Sequence, residues 1–587
     1  MRNRRRVAIV PFAFLAVAGA CSSASNSGFV GLGTPVDGGL AGPDGTIIPI
    51  HNGDTGTLGK LPSPDTGGKP DAPLVVGDPT TCAEALTAKS YVGCEYWPTV
   101  TANLVWSGFN FTAVVANTQS VVAMVTVTGP GLTGSMSYSV PPNGLTKIYL
   151  PWVQSLKGPD ITATSTQISN SIKVPNGAFH LISSVPVTVY QFNALEYQGM
   201  GGPPGQDWSA CPNLSGTGCF SYSNDASVLI PVAAMTGNYR ITGEHGSTLL
   251  MDGGSINITG TVDNTMVTVT TSATSSILAS VAGDIVATGA NKTLTFTLNA
   301  GDVAELVGLA NDQIDLSGSL VYATNPVQVI SARQCANQPD PMAACDHLES
   351  SVLPAETLGK DYVVTVPTSP HAAVIGHVVR FFGNVDGTLL TYSPSQPPGC
   401  PSMLNAGEVG ECTGTPDCAT GTVNDGTGNP DPVSCVTTSF EVSGTHEFAV
   451  SSFMLGGSAV DPNDSTLDQE GDPSMSPMVA TEQYRSRYVF LAPTDYTESF
   501  ADVVMPAGAS ITLDGAPLAA TVTPLNATWS IARVALTAGA GGAHLMTSTS
   551  AFGVQVIGYG AYTSYQYPAG LDLTEIAPPP PPPPGAK

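Results

Sequence analysis

From residue 82 onward, β-branched or apolar residues alternate with Thr and Ser in short runs: VVAMVTVTG at Val121–Gly129, NTMVTVTTS at Asn264–Ser272, KTLTFTLNAGD at Lys292–Asp302 and ASITLDGAPL at Ala509–Leu518. A period of two is that of a half-buried strand, because successive side chains leave opposite faces of the sheet. Asp-Gly and Ala-Gly-Asp within or after these runs supply turns. No window of helical length keeps apolar residues at i, i+3 and i+4, so only Val232–Met235 and Ala480–Arg485 are expected to form short helical turns. The pattern predicts an all-β protein built from antiparallel sheets.

The runs are grouped by an internal repeat. Around the stretch Gln334–Val364, Asp346, Pro354 and Tyr362 mark a spacing that returns in looser form as Asp225, Pro231 and Tyr239, and again as Asp472, Ala480 and Tyr488. Segment ends also recur: Gly177–Phe192, Gly444–Leu455 and Gly542–Tyr559 each place a glycine and a histidine before a final apolar run, and Gly318–Ala332 has the glycine alone. Repetition at a spacing of about 100–130 residues predicts a tandem array of about four β-sandwich-like modules. The expected boundaries are 80–224, 225–345, 346–471 and 472–573. Between modules, Gly199–Cys219, Gln334–Cys345 and the Asp-rich Asp461–Asp472 read as connectors.

The ends of the chain differ from this body. Met1–Ala20 has a basic start and an apolar run too short for a comfortable membrane span, and it finishes in VAGAC, similar to a bacterial lipobox. This predicts a lipoprotein signal peptide over 1–20 and acylation of Cys21. Residues 21–79 are rich in Gly, Pro, Asp, Ser and Thr and are expected to be a flexible tether with a reach of roughly 40 Å. The tail, 574–587, carries seven consecutive prolines, Pro578–Pro584, a composition suited to polyproline II or to a plain disordered end.

Charge narrows the partners. The formal net charge is −26, with a pI near 4.4, and only 11% of residues are charged. Such a surface repels phosphate backbones, which excludes nucleic acid as a partner class. Ten of the eleven cysteines fall into close pairs or one cluster: Cys82 with Cys94, Cys211 with Cys219, Cys335 with Cys345, and Cys400, Cys412, Cys418 and Cys435 together. With no C-x-x-C spacing and no histidine at zinc-ligand distance, disulfides in an oxidising compartment are expected rather than a metal site. The three doublets pair within themselves; the cluster of four allows three connectivities.

Candidate chemistry is sparse. His180, His446 and His544 recur at equivalent places in separate modules, which suits structural residues bonded to neighbouring turns. His347, with Asp346, Glu349, Ser350 and Ser351 beside it, has the residue types of a hydrolytic triad, but consecutive residues on one strand point apart. Asp461, Asp464, Asp468, Glu470 and Asp472 offer hard oxygen ligands for calcium, although a solvated acidic linker is the favoured reading. No catalytic, cofactor-binding or metal-ligating residue is therefore assigned, and no cofactor is expected.

CDHLESSVLP at Cys345–Pro354 with YVV after it, PVTVYQF at Pro186–Phe192, GDPS at Gly471–Ser474 and SYQYPAGLDL at Ser564–Leu573 together resemble the IgGFc-binding protein N-terminal domain family, over about Cys82 to Leu573. The resemblance implies an exported protein of the cell envelope or outer surface that binds an extracellular protein or glycan. With the lipobox, the membrane is met through a lipid anchor only, at a Gram-negative outer membrane. Two other classes stay open, a self-associating envelope component and a secreted hydrolase with an unrecognised site.

Overall fold

A computed structural model describes residues 78–160, 168–212, 219–340, 342–422, 430–463, 469–537 and 539–583. These belong to a compact unit spanning 71–587. The expected signal peptide, Cys21 and nearly all of the tether lie outside the described residues, as do Asp464, Asp468 and Pro584.

The described chain is almost entirely antiparallel β. The four runs singled out above contain the strands Ala123–Thr128, Thr265–Thr270, Thr293–Leu298 and Ile511–Leu513 with Ala516–Pro517. Thr293–Leu298 alternates strictly, with Leu294, Phe296 and Leu298 buried and the threonines exposed. Both expected helical turns are present as 3-10 turns, Val232–Ala234 and Thr481–Gln483. Three helices were not expected: Cys82–Ala88, opened by Thr81 and Glu84 in a reciprocal capping box, and the four-residue Gln154–Lys157 and Gly457–Val460.

Four tyrosines close the same local device. Tyr96, Tyr239, Tyr362 and Tyr488 are buried, and each hydroxyl accepts from the amide three residues earlier: Gly93 at 2.9 Å, Thr236 at 3.2 Å, Gly359 at 3.2 Å and Arg485 at 2.9 Å. Each hydroxyl then donates to a carbonyl on a strand late in its own segment, that of Val187, Val327, Phe448 or Phe552. A tyrosine is suited to this role, since its ring fills the core while its polar tip satisfies buried backbone.

The segments do not follow one another as separate beads. The sheet around His180–Phe192 is extended by Ala226–Val228, and that around Val327–Ala336 by Asp346–Ser351. Likewise Met475–Pro477 pairs with Phe448–Met454, and Thr563–Pro568 with Ala543–Gly560. Each of the first three sheets thus takes a strand from the residues that follow its own segment, while the fourth takes its extra strand from its own end. The four closing strands pack against one another in a cycle. The ring shuts where the first and last segments share a core: Tyr190 lies 5.0 Å from Tyr567 and its hydroxyl donates to the Val489 and Ala569 carbonyls.

This closure corrects the reading of Asp461–Asp472 as a solvated linker. Asp461, Glu470 and Asp472 are all buried. Asp472 lies three residues before the closing strand Met475–Pro477, and Asp461 accepts from the Glu470 amide at 2.9 Å and lies 3.3 Å from His371. The stretch Gln334–Cys345 is likewise more than a connector, because the strand Val327–Ala336 runs into it. The proline tail is also anchored: the Ile576 and Ala577 amides donate to the Glu356 carbonyl, and Pro580 and Pro583, three residues apart, are buried. Three is the turn length of polyproline II.

Candidate functional site

A cleft of about 770 Å³ opens between the second and third segments, lined by residues from Arg240 to Glu411. Its floor forms where two glycines bring backbones together. Gly318 (φ +78°) and Gly407 (φ +80°) face each other so closely that a Cβ on Gly318 would lie 2.1 Å from the Gly407 carbonyl oxygen. Both also occupy the left-handed region that disfavours other residues. Gly318→Ala should therefore lower stability by about 2–4 kcal/mol through strain and seam separation combined, seen as a fall in melting temperature, whereas Gly387→Ala, with φ +68° in open space, should cost less.

Charge is concentrated beneath the floor. Arg380, on the strand His377–Gly383, is buried and reaches Asp315, Glu244 at 3.7 Å and Glu411 at 3.2 Å, while also donating to the Gly243 carbonyl. Its Nε has no partner in hydrogen-bond geometry, despite the nearby Glu411 carboxylate. Glu244 also holds His245, whose Nε2 lies 2.9 Å from Oε1, while Nδ1 contacts the Gly246 carbonyl at 2.7 Å. Burial disfavours both charges, but Arg380 and His245 outweigh it at Glu244, holding that carboxyl down at about 2, and Glu244 in turn lifts His245 to about 9. His245 is thus an imidazolium at neutral pH, with both ring nitrogens engaged and no free position to act as a base. The His245 ring resonances should titrate near pH 9 by NMR, and Glu244→Gln should move the midpoint toward the ordinary histidine value near about 6.5.

Arg240 is different. Its Nη1 donates to the Gly318 carbonyl at 2.8 Å and its Nε reaches Asn384 Oδ1 only at 3.5 Å. Burial draws its pKa down to about 10, with Asp386 opposing weakly. Across the sheet, Arg240 stands opposite Leu320, which stands opposite Thr270, so the three form one row on the cleft wall. The Thr270 hydroxyl is buried without a partner among the described residues.

A second polar centre lies where the closing strands meet. Asp225, Asp346 and Asp472 are fully buried there. Asp225 accepts from the amides of Ala226, Glu349 and Met475 and from the Ser474 hydroxyl. Asp346 accepts from the His347 amide, the Thr563 hydroxyl and the Ser564 amide. Burial pushes all three carboxyls well above the usual range, and Asp472 adds to the effect at Asp346. Among the described residues, no group of three His, Cys, Asp or Glu is placed to hold a metal ion.

The residues singled out from the sequence are dispersed. His180 stacks on Trp97 at 4.1 Å and contacts Glu95, buried His544 contacts Asp514, and His446 is exposed. The would-be triad is only partly dispersed: His347 and Glu349, two residues apart on one strand, share a face, with Nε2 3.9 Å from Oε2 and both at the Thr101 hydroxyl (3.2 and 3.3 Å), whereas Asp346 turns to Thr563. Cysteines join as Cys82–Cys94, Cys211–Cys219, Cys335–Cys345, Cys400–Cys412 and Cys418–Cys435. Neither Arg240 nor Arg380 stood out, since only the folded chain sets residues 140 positions apart side by side.

The family model described as IgGFc binding protein matches residues 225–558, which include the whole cleft lining, the three central aspartates and three of the four tyrosines. The chain belongs to this family. A human relative, named IgGFc-binding protein, is 34% identical over 122 residues, amounting to 21% of this chain and 2% of that protein. The chain thus spans a very small part of its relative's length. A crystal structure of a tetra-tandem repeat from the extending region of a large adhesion protein aligns with 82% of this chain and 99% of its own at 13% identity, but its TM-score of 0.08 is too low to bear on the fold. Membership of this family and five disulfides indicate an extracellular protein. Among the described residues, no helix is long and apolar enough to cross a membrane.

Proposed function

We propose that this chain is an exported, lipid-anchored surface protein that binds an extracellular protein or glycan through the cleft between its second and third segments. The observation that carries this reading is the state of the charges in the cleft. Arg380, Glu244, Asp315 and His245 are paired with one another, and no described nucleophile is hydrogen-bonded to the imidazolium. A rigid wall of prepaired charges suits recognition, because little has to be reorganised on binding. The cleft also lies wholly within the family-matched stretch, which supports assigning the binding role to it.

In this reading Cys21 carries the acyl anchor, residues 21–79 form the tether, and 574–587 the tail. The folded part divides at 80–224, 225–345, 346–471 and 472–573, a division supported by one locked tyrosine in each. The human relative's name points to the Fc part of immunoglobulin G as one probe. An O-glycosylated mucin is a second. The full chain is passed over immobilised Fc and immobilised mucin, beside a Gln313→Trp variant that fills the cleft mouth from an exposed position. Retention on either surface, lost in the variant while melting is unchanged, supports the proposal. Retention on neither, or retention indifferent to the substitution, contradicts it.

A further inference from the structure

We infer that the cleft takes a singly charged acidic sugar, a pyranose bearing one carboxylate, and that Arg240 receives that carboxylate. The inference rests on the reading that the cleft is where this chain meets its partner.

The first support is an imbalance among the buried arginines. Arg380 has three carboxylates, Arg333 has Asp252, and Arg485 has Asp78 and Asp572. Arg240, only 8% exposed, has no carboxylate within ion-pair distance among the described residues. Leaving a buried guanidinium without counter-charge is costly, and a planar fork facing a cavity is shaped for a carboxylate.

The surroundings of Arg240 then narrow the ligand. The unpartnered Thr270 hydroxyl stands in the same row, and the side chains of Thr274 and Asn291 line the exposed part of the cleft. Hydroxyl and amide groups around a guanidinium match a polyhydroxylated acid. Among the described residues no Phe, Tyr or Trp lines the cleft, so the wall they form offers nothing to an extended apolar or aromatic acid. Asp312, Glu408 and Glu411 at the exposed side accept hydrogen bonds from sugar hydroxyls and repel additional negative charge, which selects one carboxylate over a polyanion. The cavity volume falls within the range of small-ligand sites, about 300–1,000 Å³.

Calorimetric titration of the full chain at constant ionic strength compares 3′-sialyllactose, lactose and a heparin-derived tetrasaccharide. The expected result is measurable binding of sialyllactose, with lactose at least about tenfold weaker and the polyanion no tighter than lactose. Arg240→Gln should weaken sialyllactose by about tenfold or more. Because Arg240 also holds the Gly318 carbonyl, Thr270→Val provides the second arm: it removes only an unpartnered hydroxyl, should leave melting unchanged and should weaken binding severalfold. Lactose binding as tightly as sialyllactose, or Thr270→Val leaving the affinity untouched, overturns the inference. The two proposals fail separately. If mucin retention is abolished by Gln313→Trp but survives enzymatic removal of acidic sugars, the cleft remains the site and the acidic sugar is wrong; if retention ignores Gln313→Trp, the cleft itself is wrong.

Discussion

Asp225→Ala is expected to be among the most destabilising single substitutions in this chain, lowering stability by more than about 4 kcal/mol. The carboxylate receives the Glu349 and Met475 amides, which belong to two different closing strands, together with the Ser474 hydroxyl. Each buried donor left without an acceptor costs about 1–3 kcal/mol. Asp225 and its neighbours Asp346, Glu349 and Ser474 are all fully buried, away from the bulk solvent that satisfies freed donors at a surface. Differential scanning calorimetry should show the fall, and limited proteolysis should show earlier cleavage than in the wild type. Asp225→Asn, which keeps one acceptor oxygen, should lie between the two. A variant Asp225→Ala melting within a few degrees of the wild type would mean that the closing strands are held by something other than this carboxylate.

The same centre has a pH signature whose sign follows from the direction of its shifts. Folded-state carboxyl pKa values raised above the unfolded value give stability that is fully present at acid pH and lost as pH rises through the folded value. Asp225, Asp346 and Asp472 are all raised, and Glu470 and Glu305, lifted by burial to about 7 and about 8, act in the same direction. The imidazolium of His245 adds to it, since its stabilising charge disappears above about 9. Melting temperature should therefore decline from about pH 6 to about pH 9. Asp472→Asn, which removes one buried charge whose Oδ1 has no partner, should flatten that decline.

The second large effect is expected at Arg380. Replacing it with Leu removes the only cation beside Asp315 among the described residues, leaves Glu244 with His245 alone as counter-charge and frees the Gly243 carbonyl, at an expected loss of about 3–5 kcal/mol. Adding Glu244→Gln and Asp315→Asn to Arg380→Leu should restore a large part of that loss, because the penalty lies in the unpaired charges more than in the absent attraction. Partner binding should not return with stability, since the cleft wall would no longer carry its charges. A triple variant as unstable as the single one would place the contribution of Arg380 in packing, including its position 5.7 Å over the Phe382 ring.

The strands were legible because alternation survives in residues such as Leu294, Phe296 and Leu298, where one face is buried and the other meets solvent. The repeat was legible through Pro231 and Pro354, which precede 3-10 turns, and through the tyrosines that follow them. Its first copy escaped notice because Tyr96 ends a short strand joined by a disulfide to the preceding helix, with no proline or aspartate at the familiar spacing. The opening helix was readable in principle from Thr81 and Glu84, whose capping box outweighs a run of only seven residues. Closure of the ring was not readable. Strand exchange depends on which edges are left unpaired when neighbouring sheets form, and that is a property of the assembled backbone rather than of local pattern. For the same reason Asp461 and Asp472 passed for solvated acids although both are buried, and nothing in the sequence set apart Arg240 and Arg380, which line the cleft.

Binding in the polar cleft between the second and third segments can be read by surface plasmon resonance with the full chain against immobilised mucin and Fc, with and without Gln313→Trp. Saturable binding to at least one surface that vanishes in the variant, at unchanged melting temperature, is the predicted result; equal binding by both chains, or none by either, would contradict the account.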